Sequence, residues 1–381
     1  MIRDEPASTG TEEVPDEPSD AALVRHPRLL AAARPWPQPN WVGIGIMLLI
    51  MLPLPFLSLV TDSGRFLTHL VITFFIWAIV TQCWNMIMGV SGIYSFAQLA
   101  LFGIGAFTTG ALSQSFGVNP WISILVAPIV TVLMALVIGL PTLRLRGIYV
   151  VLLTMAFHEL VRNFITTGPR EISGQGYGLV YVPRLGFEAL MGDNAIILYY
   201  YFGFLLFGVA SYVIWRILHS PIGVAFQALR DSEEYAISRG VDPFRFKLFL
   251  FAFSAFFTGL AGGFAAHYLG SASTTLFNFA IAINLLAMIV LGGWGTFLGP
   301  IVGTALITFM FEFLRTVDAY RYFAIGLAMA AIAVLAPQWL VPLVSAGFRS
   351  LFSAFFASES EPDEEPADEL QLPADAAEAE R

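Results

Sequence analysis

The chain has 381 residues, 57% of them hydrophobic and 12% charged, with a mean hydropathy of +0.73; a soluble domain is about a quarter charged, and no soluble fold hides this much apolar surface. Its net charge of -9 belongs to the ends, because seven acids fall within residues 1–34 and ten within 358–381, leaving 14 basic against 11 acidic residues between them. The only lysine, Lys247, follows Phe246, which excludes a G-x-x-x-x-G-K-[ST] phosphate loop, and a single cysteine, Cys83, excludes an intrachain disulfide or a thiolate metal cluster.

Residues 1–40 and 346–381 are rich in Pro, Glu, Asp and Ala and read as disordered acidic tails. No basic stretch followed by a short apolar core marks a secretory signal. Between the tails, apolar runs fall at 41–60, 66–88, 97–115, 120–140, 147–166, 195–217, 247–269, 278–298, 300–314 and 322–341. They predict an all-α, polytopic membrane domain over 41–345 with about ten transmembrane helices. The stretches 89–98 and 292–300 are glycine-rich or polar, and each is a candidate re-entrant segment.

Basic clusters at Arg25, Arg28 and Arg34, at Arg144 and Arg146, and around residues 216–247 fall on one side of a ten-span chain. The positive-inside rule makes that side cytoplasmic and puts both termini there. Two connections exceed simple hairpins, 168–194 outside and 218–246 inside, and function concentrates in such loops.

The inner loop reads HSPIGVAFQALRDSEEYAISRGVDPFRFKLF. Pro221 opens it, and Gly240 and Pro243 close it, so residues 223–239 are expected as one amphipathic helix with Val224, Ala228 and Leu229 sharing a face with Ile222. Periodicity alone makes it a solvated helix on the headgroups. The loop and the apolar stretch after it, however, resemble the LivM-type permease subunits of the branched-chain amino acid ABC importers. Gly223, Ala228, Arg230, Glu233, Glu234, Ala236 and Gly240, then FLFAFSAFFTGLAGGFAAHYLG from Phe249 to Gly270, carry the likeness. The acidic residue, Ala236 and Gly240 resemble the EAA-type loop that docks on the ATPase in these importers, although its usual Ile-x-Leu-Pro continuation is absent.

Three more blocks are similar to the family's: WNMIMGVSGIYSFAQLALFGIGAF from Trp84, GLPTLRLRGIY from Gly139 and LGGWGTFLGPIVG from Leu291. ISGQGYGL, Ile172–Leu179, resembles its outer Gly-rich loop, with Gln175 in place of a glycine. The likeness covers roughly residues 66–341. It implies a permease subunit in the bacterial inner membrane, paired with a homologous second permease, two ABC ATPase subunits and an outer substrate-binding protein. Within this chain it implies no catalytic residue, cofactor, metal or nucleic-acid partner. Leucine, isoleucine and valine are the default cargo, with urea or short amides as the alternative; an ion-coupled carrier is the rival class.

Polar residues inside the spans are the remaining clue, since a charge in lipid is costly and marks a function or a pair. Asn85, Ser91 and Gln98, together with Gly292, Gly293 and Gly295, are candidates to line the pathway. Glu159 with Arg162, and Glu312 with Arg315, have the spacing of intrahelical ion pairs. His158 and His267 lack metal-ligand spacing. Gly259, Gly262 and Gly263 on one span, and Gly299 with Gly303 on another, are expected to be helix-packing contacts.

Overall fold

The structure is a computed structural model that describes residues 51–59, 62–145, 147–174, 176–313 and 326. Both acidic tails, Gln175 and Arg315 lie outside the described residues, as do most of the first and tenth predicted spans. The chain divides into Met1–Pro53 and Leu54–Arg381, and the helical bundle belongs to the second unit.

Ten helices of more than one turn and regular α geometry follow in order among the described residues: α1 (Asp62–Asn85), α2 (Gln98–Gln114), α3 (Pro120–Thr142), α4 (Ile148–Thr167), α5 (Ala195–Leu218), α6 (Pro221–Asp231), α7 (Glu233–Ser238), α8 (Pro243–Leu269), α9 (Phe279–Gly292) and α10 (Gly299–Phe313). Local chemistry sets many of their starts. Asn119, Ser220, Ser232, Asp242 and Asn278 each accept a backbone N–H at an N-cap, and proline fills the first position of α3, α6 and α8. The long connection between α4 and α5 holds β1 (Leu179–Val180), which pairs antiparallel with β2 (Ser271–Ala272) just beyond α8.

Among the described residues, five stretches are long and apolar enough to cross a membrane: Gly64–Val90, Pro120–Thr142, Ile148–Thr167, Glu188–Leu218 and Pro243–Leu269. The count of ten is not reached among the described residues. The predicted eighth span, 278–298, stops early as α9 because Gly293 turns the chain out of the helix at φ 118°. A helix of 14 residues rises only about 21 Å, short of a hydrocarbon core of about 30 Å.

The hub is α8, which packs against α2, α3 and α1, while α1 in turn packs against α5 and α10. Close approach is the means. A methyl on Gly105 of α2 would lie 2.7 Å from the Gly259 Cα of α8, and one on Gly262 would meet the Phe102 carbonyl. Gly303 likewise brings α10 against the backbone of α9 at Met288 and Gly292. Without a hydrophobic drive between helices in lipid, such small-residue contacts supply the packing. Apolar side chains are thereby released to the outside. Ile122, Leu125, Ile129, Leu133 and Val137 form an exposed stripe at helical spacing along α3, with Ala127, Thr131 and Ala135 buried on the opposite face.

Gly105→Val should therefore destabilise the folded chain by about 1–3 kcal/mol, whereas Gly208→Val, where an added Cβ meets nothing within 4 Å, should be tolerated. Thermal unfolding of both variants in detergent, followed by size-exclusion fluorescence, checks this. Equal melting temperatures would contradict the packing described.

Candidate functional site

At Asn85 the backbone of α1 passes into a π-helical turn, Met86–Val90. Ser91 closes it, its amide donating to Met86 O at 3.2 Å and its hydroxyl to Ile87 O at 2.7 Å. π-turns inside helices are uncommon and recur at functional sites. The chain then runs as irregular backbone to α2, with Trp84 Nε1 donating to Ser95 O at 2.7 Å and Phe96 N to Thr154 Oγ1 at 3.0 Å.

Facing this turn is the segment between α9 and α10. Gly293 has φ 118° and Gly295 φ 71°, backbone angles that a residue with a Cβ rarely adopts. Irregular backbone among apolar helices must find hydrogen-bond partners, because bare N–H and C=O groups there cost several kcal/mol each. Asn85 provides them. Its Nδ2 donates to Thr296 O at 2.8 Å, and its Oδ1 accepts from Gly295 N at 2.9 Å. Thr296 completes the turn, its hydroxyl donating to Gly293 O at 2.9 Å and accepting from Gly299 N at 3.0 Å. There is no room for a side chain between the two turns, since a methyl on Gly89 would sit 2.6 Å from Gly295 N.

The loop 218–246 reaches this junction. Arg230, in the last turn of α6, donates from Nη1 to Gly89 O at 3.2 Å, while its Nε bonds Asp231 Oδ1 at 3.0 Å. Its aliphatic stem covers Gly92, where a Cβ would come within 2.8 Å of Arg230 Cγ. One cation thus caps a carbonyl of the π-turn and borders Gly295.

The loop is built differently from the single helix expected over 223–239. Ser232 is extended, at φ -158° and ψ 106°, and splits it into α6 and α7. Its hydroxyl accepts Tyr235 N at 3.3 Å, so it ends one helix and caps the next. The buried face is also not the one expected: Gly223, Ala225, Phe226 and Leu229 point inward, and Val224 is exposed. At about 100° per residue, Ile222, Phe226 and Leu229 line up while Val224 falls on the other side. Ala236 is buried, and Glu233 accepts Lys247 Nζ at 2.9 Å, which ties α7 to α8. Glu234 is exposed beside Tyr235 and Ile237. Gly240, at φ 84°, ends α7 with open space around its Cα.

The structure thus brings Asn85, Ser91, Gly293, Gly295 and Arg230 to one junction, with Gly292 packed on Gly299 at its edge. Ala228 belongs to the same short helix α6. Gln98 lies elsewhere, buried between α2 and α8, where its amide accepts from Ser254 Oγ at 3.1 Å and donates to Thr258 Oγ1. Sequence reading missed Thr296, whose position three residues before Gly299 in a Gly-Thr-x-x-Gly string was its only signal. Among the described residues no group of three or more His, Cys, Asp or Glu is placed to hold a metal.

Residues 66–355 match the family described as branched-chain amino acid transport system / permease component. The chain belongs to this family. Similar curated proteins include the high-affinity branched-chain amino acid transport system permease protein LivM of Salmonella typhimurium and that of Escherichia coli K12, each 30% identical over 281 residues. Each of these alignments covers 68% of this chain and 66% of the relative, so the chain spans slightly under two thirds of the LivM length. The ribose import permease protein RbsC of Haemophilus influenzae is 31% identical over 137 residues, 34% of this chain and 42% of its own. No solved structure matches. Family and long apolar helices together make the chain a multi-pass helical membrane protein.

Asn85→Asp keeps an acceptor for Gly295 N but loses the donor to Thr296 O; Asn85→Ala loses both. Hydrogen exchange at residues 293–297 should therefore speed up in the order wild type, Asp, Ala, with about 1–3 kcal/mol of local protection lost in the last. Protection within α1 should hold. Unchanged exchange in Asn85→Ala would show that another group satisfies the turn.

Proposed function

We propose that this family member is the permease subunit of an ABC importer for branched-chain or closely related amino acids. In this reading it shares the pathway with a homologous second permease and is driven by two partner ATPases, with cargo delivered by an outer binding protein. Residues 41–345 form the membrane domain, both termini are cytoplasmic, and the tails 1–40 and 346–381 are solvated. The substrate class rests on the LivM relatives, which are branched-chain amino acid transport permeases.

The observation that carries the reading is the contact of Arg230 with Gly89. Helix α6 packs its Phe226 and Leu229 face against the bundle and from there sets the Arg230 cation on the carbonyl of the π-turn. A docked ATPase that shifts α6 would draw directly on that carbonyl, and through the abutting Gly89 and Gly295 on the turn that Asn85 holds. Glu234, Tyr235, Ile237 and Val224 are among the exposed side chains of the loop, part of a mixed charged and apolar surface of the kind a partner covers. Glu233 serves within the chain through Lys247. An ion-coupled carrier would leave this loop without a role.

Gly240→Val forces a β-branched residue into the left-handed region at a cost of about 1 kcal/mol or more, and should fray the end of α7. Glu234→Lys reverses a charge on the docking face. Both variants should yield a stable permease pair that loses its ATPases on detergent purification, with uptake falling in proportion. Gly240→Asn, which tolerates that conformation, should behave nearly as wild type. Retention of ATPases and normal uptake in both Gly240→Val and Glu234→Lys would refute the docking role.

A further inference from the structure

A second feature lies on α4, away from the coupling junction. A cavity of about 370 Å³, within the range of small-molecule sites, opens between α4, the irregular segment after the π-turn, and the start of α9. Phe96, Phe277 and Phe279 make its apolar walls, and His158, Glu159 and Arg162 line it from α4.

The charges are the anomaly. Helix α4 is long and apolar enough to span a membrane, and Glu159 lies about 17 Å from its Ile148 end, near the middle of a span. The side chains of Glu159 and Arg162 are nevertheless 62% and 51% exposed. Arg162 Nη1 donates to both carboxylate oxygens, at 2.9 and 3.3 Å. An ion pair held at that depth and left more than half uncovered by the described residues faces lipid at high cost, or else it faces a water-filled path. The adjoining cavity points to the path.

His158 adds a third polar element. Its ring is buried and bonds Phe277 O through Nε2 at 3.0 Å. A carbonyl only accepts, so Nε2 carries the proton, and in the neutral ring Nδ1 keeps a lone pair. That Nδ1 has no partner among the described residues. The wall therefore offers an anion and a neutral acceptor for an ammonium group, a guanidinium for a carboxylate, and aromatic faces for an aliphatic side chain.

We propose that this cavity is a subsite for an α-amino acid zwitterion on its way through the membrane. The proposal rests on the amino-acid importer reading and adds the residues that hold the cargo: Glu159 takes the ammonium group, Arg162 exchanges its intrahelical partner for the carboxylate, and Phe96, Phe277 and Phe279 enclose the side chain. A zwitterion replaces the Glu159–Arg162 bonds in kind, so the pair opens without leaving either charge bare.

The test is uptake of radiolabelled leucine by cells whose chromosomal copy is replaced with Glu159→Gln, with Arg162→Gln, or with the charge exchange Glu159→Arg plus Arg162→Glu. Each should transport about tenfold more slowly or worse, the loss expected for one charge-assisted hydrogen bond, with permease in the membrane at wild-type level. A merely structural ion pair would survive the exchange, so normal uptake by the exchanged variant overturns the proposal, as does normal uptake by both single variants. A measurement that needs no charge variant is maleimide labelling of Ala156→Cys, on the cavity rim; native Cys83 is buried and stays silent. Leucine should slow that labelling several-fold, while isovalerate and isopentylamine, each lacking one of the two charges, should not. Equal labelling with and without leucine overturns the subsite. If the wild type takes up no amino acid, the transport reading falls too; if it does while the variants match it, the subsite alone falls.

Discussion

Backbone that leaves helical geometry inside an apolar bundle must have its N–H and C=O groups satisfied by protein, and here one side chain does most of this. Asn85 presents a donor and an acceptor at the spacing of an amide and a carbonyl on neighbouring residues, and it uses both on the segment between α9 and α10. Everything nearby depends on that bond pair. The glycines at 89 and 295 are small because the clamp draws the two turns into backbone contact, and Arg230 has a carbonyl to reach because the π-turn has displaced it from regular helix pairing.

The same economy recurs in the bundle as a whole. Glycines on α2, α8, α9 and α10 permit close helix contact where lipid provides no hydrophobic drive, and buried hydroxyls such as Thr81, Thr131 and Thr142 bond carbonyls one turn back along their own helices. Polar side chains that instead bond across helices are fewer. Gln98 with Ser254 and Thr258, and Thr81 with Thr304, lock α2 to α8 and α1 to α10. Rigid contacts of this kind surround a junction whose own members are glycines and one clamp, which is a suitable place for a shape change to be localised.

Much of this was legible in the residues. Ser220 and Pro221, Asp242 and Pro243, and Asn278 announce helix starts by their chemistry, and the glycine spacing on α8 and α10 correctly marked packing surfaces. Family membership could be read from motif blocks at Trp84, Gly139 and Leu291. What could not be read is what depends on distant pairing. Asn85 and Gly295 are 210 residues apart and Arg230 and Gly89 are 141 apart, so no local pattern links them. The break at Ser232 was hidden because the residues around it, Asp231 and Glu233 to Ala236, suit a continuous helix by composition. The early end of α9 was half legible: Gly292, Gly293 and Gly295 marked 292–300 as a candidate re-entrant segment, but the apolar run was still read as one span through to 298.

The loop of α6 and α7 and the interior turn are proposed to act as one unit through Arg230, the π-turn and Asn85. A double-mutant cycle on uptake rate, with Asn85→Ala, Arg230→Met and the two combined, measures this directly at equal membrane levels. The combined loss should differ from the sum of the single losses by about 0.5 kcal/mol or more, as for residues sharing one network. Losses that add to within about 0.3 kcal/mol would show that loop and turn work independently, and would contradict the coupling.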